Sequence, residues 1–113
     1  MRFLFLLYGD EAAEGALTAD ERRAIVAEHR AFSASLAAAG ALVDGAPVAP
    51  SREAKVFRAG GPGPVVTDGP FVETKEQLGG FYVVECDDVD AALEWAREVP
   101  RSPGLVVEVR PLA

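Results

Sequence analysis

The sequence opens with a nearly unbroken apolar stretch, residues 2–8, which contains two phenylalanines, three leucines and a tyrosine. A short apolar run of this kind predicts a central β-strand that is buried on both faces. Successive side chains of a strand point to opposite faces, so the odd-numbered residues of the run face one side and the even-numbered residues the other. Any fold for this chain must therefore cover both faces of its sheet.

The first helix predicted by the sequence is long and well delimited. Thr18 and Glu21 have the spacing of a capping box, and helical periodicity then continues until Gly40 offers a left-handed stop. Four side chains on one stripe of residues 19–39 should face the sheet, and they are Ile25, His29, Phe32 and Leu36.

The remaining chain predicts further strands and a second helix. Residues 41–48 are predicted to form a strand, and residues 54–59 and 65–67 flank a glycine-rich turn typical of a hairpin. A strand at 81–86 is followed by a helix that Asp87 or Asp88 caps and Pro100 ends, and by a closing strand at 105–110.

Two β-α-β units in one short chain predict an α+β fold on the ferredoxin-like plan. In this (βαβ)2 plan an antiparallel sheet carries both helices on one face, and the hairpin is an insertion. The helices leave the second sheet face uncovered. We expect a second copy of the chain to cover it, giving a homodimer, because large apolar patches are uncommon on monomers. The alternative is that the inserted hairpin folds beneath the sheet.

The composition of the chain limits the kinds of partner that it can bind. The 113 residues fit a single domain spanning 1–113, and no apolar run is long enough for a bilayer, so no membrane partner is expected. A net charge of −7 opposes binding to nucleic acid, which depends on clustered Lys and Arg. A single cysteine permits no internal disulfide, which indicates a reducing compartment and a cytoplasmic location.

The sequence lacks the residues that several kinds of functional site require. One histidine and one cysteine cannot make a conventional zinc site, so no metal is expected. The glycine-rich turn at 60–64 lacks the Gly-Lys-Ser/Thr of a phosphate loop, and no cofactor is predicted. Cys86 lies in an apolar strand with nothing to activate its thiolate.

The most distinctive local feature is the turn Asp68-Gly69-Pro70-Phe71. An aspartate at such a turn usually caps the amide two residues later, but Pro70 has no N–H. Asp68 must therefore find another donor: the amide of Phe71, the side chain of Lys75, or a bound molecule. Asp68 also has a purely structural interpretation, in which it fixes the turn.

This turn and its flanks resemble the DGPF-domain branch of the YCII-related (YciI-like) family. The resemblance extends over nearly the whole chain, and the matching segments are FLFLLYGDE at 3–11, DGPFVETKE at 68–76, EWA at 94–96 and VEVRP at 107–111. It implies a ferredoxin-like dimeric α+β barrel. It also implies that relatives occur beside sigma factors of the extracytoplasmic-function type and that a histidine and an aspartate have been suspected of catalysis.

The family histidine corresponds to His29, because Gly40, Leu42 and Gly45-Ala46-Pro47 follow it as in the family pattern. The family aspartate lies near the end of the second helix, where this chain has none. Asp68 or Glu98 could replace it in space. A lone histidine on an apolar stripe is also explained by packing in the core.

These observations lead to the hypothesis of a small-molecule binding protein with an enzymatic variant of it that uses acid/base chemistry. In it, His29 moves a proton and Asp68 orients it or serves as the base. Lys75 or Arg110 holds an anionic group of the ligand. The aromatic residues expected at the cleft are Tyr8, Phe71 and Tyr82. The alternative is a non-catalytic regulatory module whose protein partner belongs to a sigma-factor system.

Overall fold

A computed structural model describes all residues from 1 to 113. Its main layer is a four-stranded antiparallel sheet with strand order β2-β5-β1-β6. The elements in chain order are β1 (Arg2–Asp10), α1 (Glu11–Gly15), α2 (Ala19–Ala38), β2 (Leu42–Pro47), a 3-10 turn (Ser51–Glu53), β3 (Lys55–Arg58), β4 (Val65–Asp68), β5 (Glu76–Glu85), α3 (Val89–Ala96) and β6 (Val106–Pro111). The α+β prediction is confirmed, and this strand order is consistent with the ferredoxin-like plan.

The helix boundaries follow the sequence signals. Thr18 and Glu21 form a reciprocal capping box at the start of α2, and Asp88 accepts a hydrogen bond from the amide of Ala91 at the start of α3. Gly40 adopts a φ of 71°, the left-handed conformation that favours glycine and ends α2. The short helix α1, which Asp10 caps, was missed because five residues are too few for a periodic signal.

The central strand β1 alternates between buried and half-buried side chains. Phe3, Phe5 and Leu7 are buried beneath the helices, where they pack with residues of α2 and α3. Leu4 and Leu6 are half-buried on the opposite face, paired with Val83 and Phe81 of β5. One face of the sheet is thus covered by helices and the other, which we call the open face, has an apolar centre without a cover.

Strands β3 and β4 pair only with each other and form a separate two-stranded sheet, which we call the arm. The radius of gyration is 15.8 Å, whereas a compact domain of this length has about 13 Å. The accessible surface is 7407 Å², against about 5,900 Å² for a typical monomer of this mass. The chain therefore exposes more surface than a self-contained protein of its size.

The outer strands of the main sheet are β2 and β6. β2 ends in Pro47, and β6 carries Glu108 and Arg110 before it ends in Pro111. No helix in the structure combines the length and apolarity needed to cross a bilayer.

Candidate functional site

A large open cavity separates the N-terminal half of α2 from the sheet. Its volume is about 1250 Å³, somewhat above the range of about 300–1,000 Å³ for small-molecule sites. Its apolar walls include Leu7 of β1, Ile25 and Val26 of α2, and Leu105 before β6. The same cavity also contacts α1 and the 3-10 turn, so elements from both halves of the chain enclose it.

Glycines form much of the cavity floor. Gly9 of β1, Gly45 of β2 and Gly80 of β5 all line the cavity. A Cβ atom on Gly45 would lie 2.7 Å from the ring of Tyr82, and one on Gly80 would lie 3.1 Å from the carbonyl oxygen of Ala46. Glycine at these two positions lets the Tyr82 ring and the backbone of β2 approach the sheet closely beside the cavity.

His29 and Tyr82 form a hydrogen-bonded pair at the cavity wall. His29 Nδ1 lies 2.7 Å from Tyr82 Oη, and the two rings are stacked with centroids 6.0 Å apart. Burial raises the pKa of Tyr82, against a smaller opposing effect of a hydrogen bond with Ser33, so the phenol remains protonated. It can therefore donate to Nδ1, which leaves the imidazole proton on Nε2.

The environment also keeps the His29 ring neutral. Burial is the main cause that lowers the pKa of His29, while the nearby charge of Glu28 acts in the opposite direction. His29 is half-buried, not sealed in the core. Its Nε2 atom makes no hydrogen bond within the chain, so this nitrogen can serve a ligand.

Two carboxylates that were not predicted from the sequence also line the cavity. Glu11 accepts a hydrogen bond from the amide of Ser51 at 2.8 Å and another from its hydroxyl, and these bonds are the main cause of a lowered pKa for Glu11. Glu14 has no such partner, and burial, followed by the charges of Glu11 and Asp10, raises its pKa. Both residues lie on α1, so their position could be found only once this helix was recognised.

The predicted aspartate lies elsewhere. Asp68 is not among the residues that line the cavity, and its exposed carboxylate forms an ion pair with Lys55. The cause is local: Lys55 and Asp68 are directly opposite each other in the β3–β4 register. The expectation that Asp68 pairs with Phe71, Lys75 or His29 is corrected accordingly.

The other predicted binding residues separate into two groups. Tyr8 and Tyr82 line the cavity with His29, whereas Phe71, Lys75 and Arg110 do not. Phe71 is exposed and lies under the guanidinium of Arg58, at 5.3 Å from its ring centroid. Arg110 forms an ion pair with Glu108 on β6. Glu98, the other candidate for the missing aspartate, is exposed after α3 and also lies outside the cavity.

The remaining reactive groups give no second site. Burial raises the pKa of the Cys86 thiol, whose sulfur donates a hydrogen bond to the carbonyl oxygen of Asp88. No three His, Cys, Asp or Glu side chains are grouped so that they could hold a metal ion.

Comparison with known proteins places the chain in a family. The model of the YCII-related domain matches it over residues 1–113. The chain belongs to the YCII-related family. This YCII-related protein has a relative in Rhizobium meliloti (strain 1021), which is described as an uncharacterized protein. The two sequences are 36% identical over 115 residues. That alignment covers 100% of this chain and 93% of the relative.

Proposed function

We propose that this YCII-related protein binds a small molecule in the cavity beneath α2, with His29 and Tyr82 as its central polar groups. The observation that carries the proposal is the 2.7 Å contact between His29 Nδ1 and Tyr82 Oη in the wall of an open cavity of about 1250 Å³. His29 is half-buried, and its Nε2 atom makes no hydrogen bond within the chain. A cleft with apolar walls and a few convergent polar groups is the usual form of a ligand site.

If the protein is an enzyme, His29 is the group that exchanges a proton with the ligand. Tyr82 takes the orienting role that the sequence suggested for Asp68, because it fixes the ring through Nδ1 and leaves Nε2 available. A neutral imidazole with a pKa below its ordinary value can act as a general base near neutral pH.

We also propose that the open face of the sheet pairs with a second copy, giving a dimeric α+β barrel. Leu4, Leu6, Phe81 and Val83 form its apolar centre, and the helices lie on the other side. The surplus of about 1,500 Å² on each chain exceeds the roughly 800 Å² per partner that a standard protein interface buries, so the chain has enough extra surface for such an interface. In this dimer the two cavities lie on the outer sides of the paired sheets.

The turn at Asp68-Gly69-Pro70-Phe71 supports placement of this single-domain chain in the DGPF branch, and the lone cysteine supports a cytoplasmic location. The competing function is a regulatory module for a sigma-factor system. It is supported by the arm and the turn that follows it, where Phe57 and Val66 of the arm and Phe71 of the turn are exposed by 63%, 65% and 73%. An arm of this kind could contact another protein.

Native mass spectrometry of gently purified protein tests the proposed function. We expect twice the chain mass together with a small molecule that denaturation releases. His29→Gln should keep the dimer and lose most of that molecule, because the amide can hold Tyr82 but cannot accept a proton. The control Arg23→Gln removes a charge on α2 outside the cavity and should keep both.

A chain that remains monomeric at micromolar concentration would contradict the proposed dimer. A dimer that carries no small molecule when isolated from the cells that naturally produce it would contradict the ligand function and favour the protein-partner module.

A further inference from the structure

Only some of the basic side chains in this acidic protein form ion pairs. The chain has 18 acidic and 11 basic side chains, so carboxylates are in excess. Five basic residues form ion pairs, and the other six are Arg22, Arg30, Arg52, Arg58, Lys75 and Arg101. Three of these six, Arg22, Arg30 and Arg52, line the cavity. Half of the unpaired cations therefore surround one site.

Two of the three arginines are spaced along α2. Arg22 and Arg30 are two helical turns apart, about 12 Å along the axis, with Val26 between them on the same side of the helix. Arg22 Nη2 donates to the carbonyl oxygen of Leu17 at 2.9 Å, which fixes the guanidinium without neutralising it. Arg30 has no hydrogen bond or ion pair within the chain, so its donors are available to a ligand.

Arg52 reaches the cavity from the 3-10 turn. The two hydrogen bonds from Ser51 to Glu11 fasten this turn to α1 and occupy the carboxylate of Glu11. Arg52 is near enough for its charge to lower the pKa of Glu11 further, yet it forms no ion pair. The turn therefore presents a guanidinium that forms no ion pair, beside a Glu11 carboxylate that is already bonded to Ser51.

The carboxylate that could oppose these charges is Glu14. Burial and the neighbouring acids Glu11 and Asp10 raise its pKa, so its negative charge is disfavoured. The cavity lining has three guanidinium groups against two carboxylates, so it is positively charged even when Glu11 and Glu14 are both ionised. Its local charge is opposite in sign to the net charge of −7.

We propose that the ligand of this cavity is a small organic anion, with a carboxylate or phosphate bound by Arg30 and Arg52 and an apolar body against Ile25, Val26 and Leu105. This inference rests on the proposed function of the cavity and specifies its ligand. Guanidinium groups recognise both kinds of anion through paired N–H donors. The Nε2 atom of His29 then serves a polar group elsewhere on the same ligand.

The test uses three probes of similar shape: benzoate, phenyl phosphate and the uncharged benzamide. They are titrated into the full-length isotope-labelled protein while the amide and imidazole signals of the cavity residues are followed by NMR. At least one anion should bind about tenfold more tightly than benzamide, and the tighter of the two identifies the anionic group. Arg30→Gln and Arg52→Gln should each weaken that anion by about fivefold or more.

Arg58→Gln is the matched control, because Arg58 is also outside any ion pair but lies on the arm, away from the cavity. It should change the affinity by less than about twofold, since distant exposed charges are screened. An equal loss in Arg58→Gln and Arg30→Gln would overturn the proposal. Equal binding of benzamide and benzoate would overturn it too, while leaving the ligand function intact. Retention of a cationic or uncharged molecule in native mass spectrometry would likewise reject the anion but not the site.

Discussion

The two halves of α2 contact the sheet in different ways. In the C-terminal half, Phe32 and Leu36 are buried, and the Phe32 ring meets Tyr82 edge to face at 5.1 Å between centroids. In the N-terminal half, Ile25 and His29 are only half-buried and border the cavity. One continuous stripe of a single helix thus supplies a core at one end and a site at the other.

The opposing strand explains the difference. Because α2 returns antiparallel to β1, its C-terminal half faces Phe3 and Phe5, while its N-terminal half faces the end of the strand at Gly9. Large side chains fill the space at one end, whereas glycines line the cavity at the other. Under the proposed function, stability and ligand binding are divided between the two halves of this helix, and three measurements test that division.

The largest expected effect is on the free energy of unfolding, and it concerns the C-terminal half of α2. Leu36→Ala should lower the free energy of unfolding by about 2–5 kcal/mol, because it removes a fully buried side chain and leaves a void. Ile25→Ala, the control at the open end, should cost less than about 1 kcal/mol, since its side chain already borders open space. Urea denaturation measures both. Equal losses would show that the two ends of α2 contribute alike.

The next effect concerns the link between the two ends. Tyr82→Phe should cost about 1 kcal/mol, because it keeps the ring against Phe32 but removes the hydroxyl bonded to His29. Tyr8→Phe is the matched control, since Tyr8 also lines the cavity but its hydroxyl has no hydrogen bond in the chain. Thermal unfolding at neutral pH should separate the variants. A larger loss in Tyr8→Phe would contradict the importance of the His29–Tyr82 pair.

The smallest effect is a pH dependence of stability, and it arises from His29 in the half of α2 that borders the cavity. The pKa of His29 is below its ordinary value of 6.5 in the folded protein, so the unfolded chain binds a proton more readily. The contribution of His29 to stability is complete above 6.5 and is lost as the pH falls towards the lower pKa of the folded state. Wild type should therefore lose more melting temperature than His29→Gln between about pH 7.5 and about pH 5.5.

That difference should stay within about 2 °C, because solvent reaches half of the ring. Glu14 has a raised pKa and contributes with the opposite sign, but it is present in both proteins and cancels in the comparison. A steeper loss in His29→Gln than in wild type would mean that His29 is charged in the folded state.

Periodicity and capping residues predicted most of the fold. The capping box of α2, the stop at Gly40 and the cap at Asp88 depend on local interactions, so the sequence alone determines them. β5 begins at Glu76 rather than at residue 81, because pairing with β1 carries its start through glycines that break the strand pattern. Strand length in this region depends on the partner strand.

The site was predictable only in part. His29, Tyr8 and Tyr82 line one cavity, whereas Asp68 pairs across the arm with Lys55. The separation of two residues in the sequence does not show whether their charges lie close together in the fold. A lysine on the neighbouring strand can pair with an aspartate as well as a histidine can. The arginines were overlooked for a related reason: on a helix they resemble ordinary solvent-facing residues until the cavity beside them is known.

The outer strands of the sheet have a consequence for assembly. Pro47 closes β2, and β6 carries charged side chains and ends in Pro111, so neither edge is well suited to accept a further strand. Association through the open face would bury that face in each chain and would expose no further apolar sheet face. For the main sheet the proposed pairing is thus self-limiting, because a third chain finds no open face there, and association by this route gives discrete particles instead of filaments.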